Sequence, residues 1–455
     1  MTLILYADLH GFFCCLKTVC ASASYVLKNI IHHIKFTVMI RSSILFLGFL
    51  FLISCSQTAS EKSTAQAKLT SQTEVNIPKL LDRSEKLRYG KEWDEVQNYY
   101  GAQSAELRRH PENPDARLKL AELFIQEARI TGEHPHYYPA ALQMLEPVIK
   151  SLESNTNPSQ QQKDHLFRAL SHQAGVELSL HDFAKARRTA ERAVVINPYN
   201  AYIYGCLVDA NVELGDYAKA VEMCDKMVGI RPDLRSYSRV SYLREIHGET
   251  AGAIEAMDMA VKAGYPGYEQ TEWARLQLGH LHERYGKMAD AEKQYQMCLA
   301  ARDNYPFAIA ALAGLEEKRG NYAKAETLLK QAADIIPEVG FYVDLVKIYQ
   351  KTGRETEAKP LIKDIQEMLN EDMAAGHNMS MEAARFQLEV TKDFGKALQL
   401  AQEEYQKRPK NKDINQLLAG IYLAQGDKKQ AAEHLKKAGV TGSKDPELLK
   451  MRLDL

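Results

Sequence analysis

The body of this chain is poor in the residues that carry chemistry. Seven cysteines are present, but Cys14, Cys15, Cys20 and Cys55 fall in the first 55 residues and only Cys206, Cys224 and Cys298 follow. No two are spaced as CxxC, which excludes a zinc ribbon or a dithiol redox site. An odd, scattered set also excludes a disulfide framework. The three later cysteines are expected to be small buried apolar side chains. An excess of charge is missing too: 58 basic residues stand against 59 acidic ones, so nothing general draws nucleic acid or an anionic membrane surface. Stretches rich in Val, Ile and Thr are lacking, whereas Ala, Leu, Glu, Lys and Gln are abundant, a mix that favours helix over sheet. No glycine-rich phosphate loop, nucleophile elbow or HExxH helix occurs, so the expectation is a protein without cofactor or catalytic residues.

The apolar residues that do cluster lie near the start. Met39-Ile-Arg-Ser-Ser leads into an apolar run from Ile44 to Ile53, then Ser54 and Cys55. Arg41 supplies the positive start, and the run is too short to cross a ~30 Å hydrocarbon layer as a helix. The segment is therefore read as a secretory signal. Leu52-Ile53-Ser54-Cys55 resembles the bacterial lipobox. That resemblance implies that the Cys55 thiol receives a diacylglycerol and that the chain is cut just before it. Cys14, Cys15 and Cys20 each lack the small residue immediately before them. On this reading Met39 is the initiator, 1–38 is an over-extended N-terminus, and 39–54 is the signal peptide. The Ser-, Thr- and Gln-rich segment 55–78 is then a flexible tether. Ser56 is not the Asp that in the resemblance marks inner-membrane retention, which points to the outer membrane.

Beyond the tether a phrase recurs. "HDFAKA" at 181–186, "GDYAKA" at 215–220 and "GNYAKA" at 320–325 are followed or interleaved by weaker copies. Their final alanines are Ala186, Ala220, Ala253, Ala291, Ala325, Ala358, Ala397 and Ala431, in steps of 34, 33, 38, 34, 33, 39 and 34. Such a period marks a repeat protein. The glycine that opens six copies is expected to end one helix in the left-handed region, and the polar residue after it to start the next. The alanine marks a close helix crossing. Pro198, Pro232, Pro337 and Pro409 are expected to lie just past the second helices.

With this period and these residues the chain resembles the tetratricopeptide repeat, a unit of 34 residues and two antiparallel helices. The resemblance implies an all-α, right-handed α-solenoid of antiparallel helix pairs. It covers 165–440 closely and 79–164 as divergent repeats, with 441–455 a tail or capping helix. The "GKEWDEVQNYY" region reads as a capping helix pair, and "TGEHPHYYPA" at 131–140 as a long turn within a pair. His134 and His136 in that turn form a bare HxH, too few ligands for a metal site, and none is expected. His165, His172 and His181 read as surface or cap residues.

The resemblance also places certain positions of first helices on the concave face. Here these are Arg168, Tyr202, Asp209, Tyr242, Glu245, Trp273, His280, Glu283, Arg284 and Lys347. Tyr202, Tyr242 and Trp273 are the expected anchors for a bound peptide, with charged neighbours setting specificity. The expected function is that of a membrane-anchored scaffold binding a protein or peptide partner in the bacterial cell envelope, without nucleic acid. A glycan- or nutrient-binding surface lipoprotein built on helical repeats is the alternative. Against it stand only two tryptophans and no separate pocket-forming domain. An enzyme using the HPHYY loop is a third reading, favoured least.

Overall fold

The computed structural model describes residues 75–455; the signal, Cys55 and nearly all of the tether lie outside them. Among the described residues are twenty α-helices. The first, α1 (Glu92–Arg109), is a single helix rather than the expected pair, and it follows a short 3-10 turn at Glu85–Leu87. Nine antiparallel pairs come next: α2 (Pro114–Thr131) with α3 (His134–Glu153), α4 (Gln160–Ser179) with α5 (Phe183–Ile196), α6 (Ala201–Glu213) with α7 (Tyr217–Ile230), and α8 (Leu234–Ile246) with α9 (Thr250–Ala263). Then follow α10 (Glu269–Arg284) with α11 (Met288–Ala301), α12 (Pro306–Lys318) with α13 (Tyr322–Ala333), and α14 (Val339–Lys351) with α15 (Glu355–Ala374). The last pairs are α16 (Ser380–Phe386) with α17 (Phe394–Lys407) and α18 (Lys412–Gln425) with α19 (Lys428–Ala438), closed by α20 (Pro446–Leu453).

The repeated phrase explains how each pair forms. Gly215, Gly248, Gly286, Gly320, Gly353 and Gly426 all adopt positive φ, between 73° and 80°. Two copies lack the glycine, and there His181 (φ 60°) and Lys392 (φ 59°) take the same left-handed conformation. The backbone turn is thus retained at a cost of about 1–2 kcal/mol per non-glycine residue. Lys392 has no compensating contact of the kind that His181 makes, as described below. We expect Lys392→Gly to raise the unfolding free energy by about 1 kcal/mol, measured by urea denaturation. His181→Gly should give no such gain.

All eight marker alanines are fully buried at 0% exposure, as a close crossing requires. The polar residue after the turn behaves less uniformly. The side chains of Asp182, Asp393 and Asp427 accept backbone N–H groups at the starts of α5, α17 and α19. Asp216 and Asn321 make no such cap; Asp216 accepts from Arg187 Nη1 at 2.8 Å, and Asn321 donates to Glu316. First helices are capped by Asn113, Ser159, Asn200, Asp233 and Asn411. The four marker prolines follow second-helix ends at Ile196, Ile230, Ala333 and Lys407.

The divergent repeats correct one expectation. The segment 131–140 is not a long turn: Gly132 (φ 75°) and Glu133 alone connect the helices, and HPHYYPA forms the start of α3. Pro135 is tolerated in the first turn, where the missing N–H has no partner to lose. Pro139 and Pro147 lie inside the helix, which persists because Tyr137, Tyr138, Ala141, Met144, Leu145 and Val148 bury its inner face. Cys206, Cys224 and Cys298 are free and buried, as their surroundings in the sequence imply.

From α2 to α12 first helices touch the first helices of neighbouring pairs more closely than second helices touch theirs, so the first helices form the inner wall of a right-handed solenoid. The superhelix winds tightly enough for successive turns to meet. The Tyr89 hydroxyl donates to Asp303 O at 2.6 Å, Asn378 N to Leu180 O at 3.0 Å, and Asn411 Nδ2 to Glu213 O at 2.9 Å. Lys412 N donates to the Tyr217 hydroxyl at 2.7 Å, and Thr441 Oγ1 to Ile246 O at 2.7 Å. For the side-chain bonds the partners lie 195 to 214 positions apart, close to six repeats of 34 residues, which gives about 204. At Gly215 and Gly248 a Cβ would lie 2.4 Å from the Lys410 carbonyl carbon and 2.5 Å from Gly442 O. There glycine serves both the left-handed turn and the close approach of the next superhelical turn.

Candidate functional site

Winding of this pitch encloses a chamber of about 780 Å³ inside the solenoid. Its wall draws on two superhelical turns. Arg129, Gly132, Glu133, His134, Pro135 and His181 come from the first, and residues between Glu269 and Glu382 from the second. Trp273, Leu276, Tyr305, Phe307 and Phe341 supply apolar wall, and Glu133, Pro135, Pro337 and Gly340 are exposed and mark where the chamber meets solvent.

Four of the ten concave-face candidates line this chamber: Trp273, His280, Glu283 and Arg284. All four lie on α10, where His280 and Glu283 share a polar network with α11 and α12. Tyr295 donates to Glu283 Oε2 at 2.6 Å and lies 2.9 Å from His280 Nδ1, and Lys318 Nζ donates to Glu283 Oε1 at 2.6 Å. Burial alone would raise the Glu283 pKa, but the bonds from His280, Lys318 and Tyr295 outweigh it and hold the carboxyl at about 2. Arg284 pairs with Glu245, another candidate, which also accepts from the Tyr285 hydroxyl at 3.2 Å. Trp273 is 2% exposed and packs with Met257, Val261 and Leu278.

The other candidates lie elsewhere on first helices. Asp209 is buried and accepts from Arg239 Nε at 3.0 Å and Nη2 at 2.5 Å. Tyr242 is buried in α8, and Tyr202 stands half-buried with its hydroxyl close to Gly175. Arg168 donates to Asp115 at 2.9 Å and Lys347 to Glu389 at 2.7 Å. The candidate positions therefore extend beyond the chamber, and their charged side chains Arg168, Asp209 and Lys347 are each paired with an opposite charge.

Sequence reasoning missed the histidines and carboxylates that the second superhelical turn brings to the first. The HxH pair separates: His136 Nε2 meets Lys79 O at 2.8 Å, whereas His134 stacks on Tyr138 and faces His377, with ring centroids 6.0 Å apart. His181 is a buried cap residue rather than a surface one. Its Nδ1 meets Asn378 O at 2.9 Å, and its ring lies edge-on to His377 at 4.5 Å. Burial, and then the neighbouring rings, hold His134 at about 4 and His377 at about 2, so both are neutral at physiological pH. His165 is buried as well, and burial holds His172 at about 4. Among the described residues no group of three or more His, Cys, Asp or Glu side chains is placed to hold a metal ion. No described helix is long and apolar enough to cross a membrane.

Comparison with known proteins bears on the repeats. Residues 391–454 match the tetratricopeptide repeat family. No curated protein matches. Among solved structures, the Cut9–Hcn1 hetero-tetramer of the APC/C aligns at 12% identity and TM-score 0.42, over 81% of this chain and 61% of its own. This chain thus covers less than two thirds of that protein. The Pseudomonas aeruginosa pilF protein aligns at 15% identity and TM-score 0.37, over 45% of this chain and 93% of its own. A tetratricopeptide repeat protein from Parabacteroides merdae aligns at 16% identity and TM-score 0.34, over 63% and 98%.

Proposed function

We propose that the chain is a tetratricopeptide-repeat scaffold, held by a lipid on Cys55 to a bacterial membrane, that binds a protein or peptide partner on the inner wall of its solenoid. The observation that carries this reading is the chamber. A wall built mainly of first helices, apolar at Trp273 and Phe307 and charged at Glu283 and Arg284, lines a concave space of the kind that takes an extended ligand. Such solenoids present long concave surfaces, and stability comes from neighbour-to-neighbour packing rather than from the bound site. The site needs no reactive group on this reading, because recognition rests on shape and charge.

The anchor gives the site its place. If the roughly twenty residues after Cys55 act as the tether their composition suggests, a chain of that length would reach roughly 25 Å, enough to stand a folded body off a membrane surface. The serine after the cysteine favours the outer membrane as the destination. Cys55→Ser should move the protein from the membrane fraction to the soluble fraction of fractionated cells, and abolish incorporation of labelled palmitate. A variant that still sediments with membranes and still takes up the label would refute the anchor.

A further inference from the structure

The chamber lining carries eight acidic residues against three basic ones, and the three basic ones are already engaged. Arg129 donates to Glu269 at 2.6 Å, Lys318 to Glu283 at 2.6 Å, and Arg284 pairs with Glu245. At the other end of the chamber the balance is uncompensated. Among the described residues no lysine or arginine pairs with Glu338 or Asp372; Asp372 has His377 Nδ1 at 3.9 Å. Burial raises Glu338 to about 7, and the charges of Asp372 and Glu382 push in the same direction. Burial raises Asp372 to about 6, opposed by His181 and reinforced by Glu371 and Glu382. These are carboxylates placed together without their counter-charge.

A second, independent observation points to a ligand at this end, and the chamber wall leaves room for one. His377 is 5% exposed, lines the chamber, and has no hydrogen-bond partner on either ring nitrogen. A neutral imidazole carries one acceptor and one donor, and leaving both unmet in a buried place is costly. Gly314 stands inside α12 and lines the same chamber, where glycine costs about 1 kcal/mol against alanine. A Cβ on Gly314 would meet nothing within 4 Å, so packing does not require the glycine. Gly340, at the mouth, is likewise open. Both leave volume in the wall.

We propose that this end of the chamber is a recognition site for an ammonium or guanidinium group on an aliphatic stem, held by Glu338 and Asp372 with the acceptor nitrogen of His377. The source is a lysine or arginine side chain of the partner peptide. The inference rests on the scaffold reading above and specifies what that scaffold recognises. A cation supplies the missing counter-charge, its N–H groups satisfy His377 and the carboxylates, and the stem lies along Phe307 and Phe341. The free volume is sufficient for a long basic side chain and a little of its backbone.

The test is calorimetric titration of the full mature chain at pH 7.5 with three probes: a capped pentapeptide Gly-Gly-Lys-Gly-Gly, the same peptide with Glu in place of Lys, and cadaverine. The lysine peptide should bind saturably at one site and the glutamate peptide should not. Glu338→Gln combined with Asp372→Asn should weaken lysine-peptide binding at least tenfold. Gly314→Phe, which fills the chamber from a position with room for a side chain, should abolish it. Neutralising carboxylates that burial already disfavours leaves folding intact, which thermal melting verifies. Unchanged binding in either variant, or no binding of the lysine peptide and cadaverine, overturns the inference. If only the glutamate peptide binds, the chamber still takes a peptide, so the scaffold reading stands and the cation site falls. If cadaverine binds and neither peptide does, the cation chemistry stands and the peptide source falls.

Discussion

Arg408→Ala is expected to lower the unfolding free energy by about 3–5 kcal/mol and to loosen the superhelix. Arg408, in the turn after α17, is 4% exposed. Its Nε donates to Glu404 Oε1 at 2.6 Å, another guanidinium nitrogen pairs with Glu213 from the preceding superhelical turn, and the group lies 4.6 Å from the Phe183 ring centroid. Burial already raises the Glu213 pKa, offset by Arg408. Removing the arginine leaves the buried Glu404 and the half-buried Glu213 without their shared cation, a larger loss than the missing contact itself. Because repeat arrays gain stability from neighbouring interfaces, the damage should concentrate where the turns meet. Hydrogen exchange should show lost protection in α17 and α18, and small-angle scattering an increased radius of gyration. A stable variant with unchanged dimensions would mean that the turns do not hold one another.

A comparable loss, again about 3–5 kcal/mol, is expected from Asp209→Ala. In sequence Asp209 reads as a concave-face candidate for partner contact. In the fold its carboxylate is buried under the Arg239 fork, and Arg239, itself 1% exposed, also donates from Nη1 to Arg235 O at 3.1 Å. With Asp209 gone, Arg239 remains as a buried charge without its anion. The double variant Asp209→Ala/Arg239→Leu should recover a large part of the loss, since replacing a buried pair by apolar groups is far less harmful than breaking it. Urea denaturation of the two single variants and the double variant measures this directly. Additive losses would show that the residues act independently.

The contrast at Asp209 shows what the sequence could reveal. Local rules worked where a single repeat decides the outcome. The marker alanines are buried at every copy, and the helix-ending turn keeps its left-handed backbone even where His181 and Lys392 replace glycine. The expected long turn at 131–140 failed because the apolar face around Tyr137 and Tyr138 carries the helix through Pro139. The closing of the superhelix left no local signal. It depends on a small rotation accumulated over six repeats, and so do the meetings of His134 and His181 with His377. Which of the candidate concave-face positions meet the chamber depends on the same accumulated rotation.

The central claim is that the inner chamber, rather than the outer surface of second helices, receives the partner. A photo-crosslinking amino acid placed at Phe307, which lines the chamber, and separately at Met297, which is exposed on α11, tests it in intact cells. The account predicts one discrete crosslinked species from position 307, lost in the Gly314→Phe background, and none from 297. Crosslinking from 297 alone, or from 307 irrespective of the filled chamber, would contradict it.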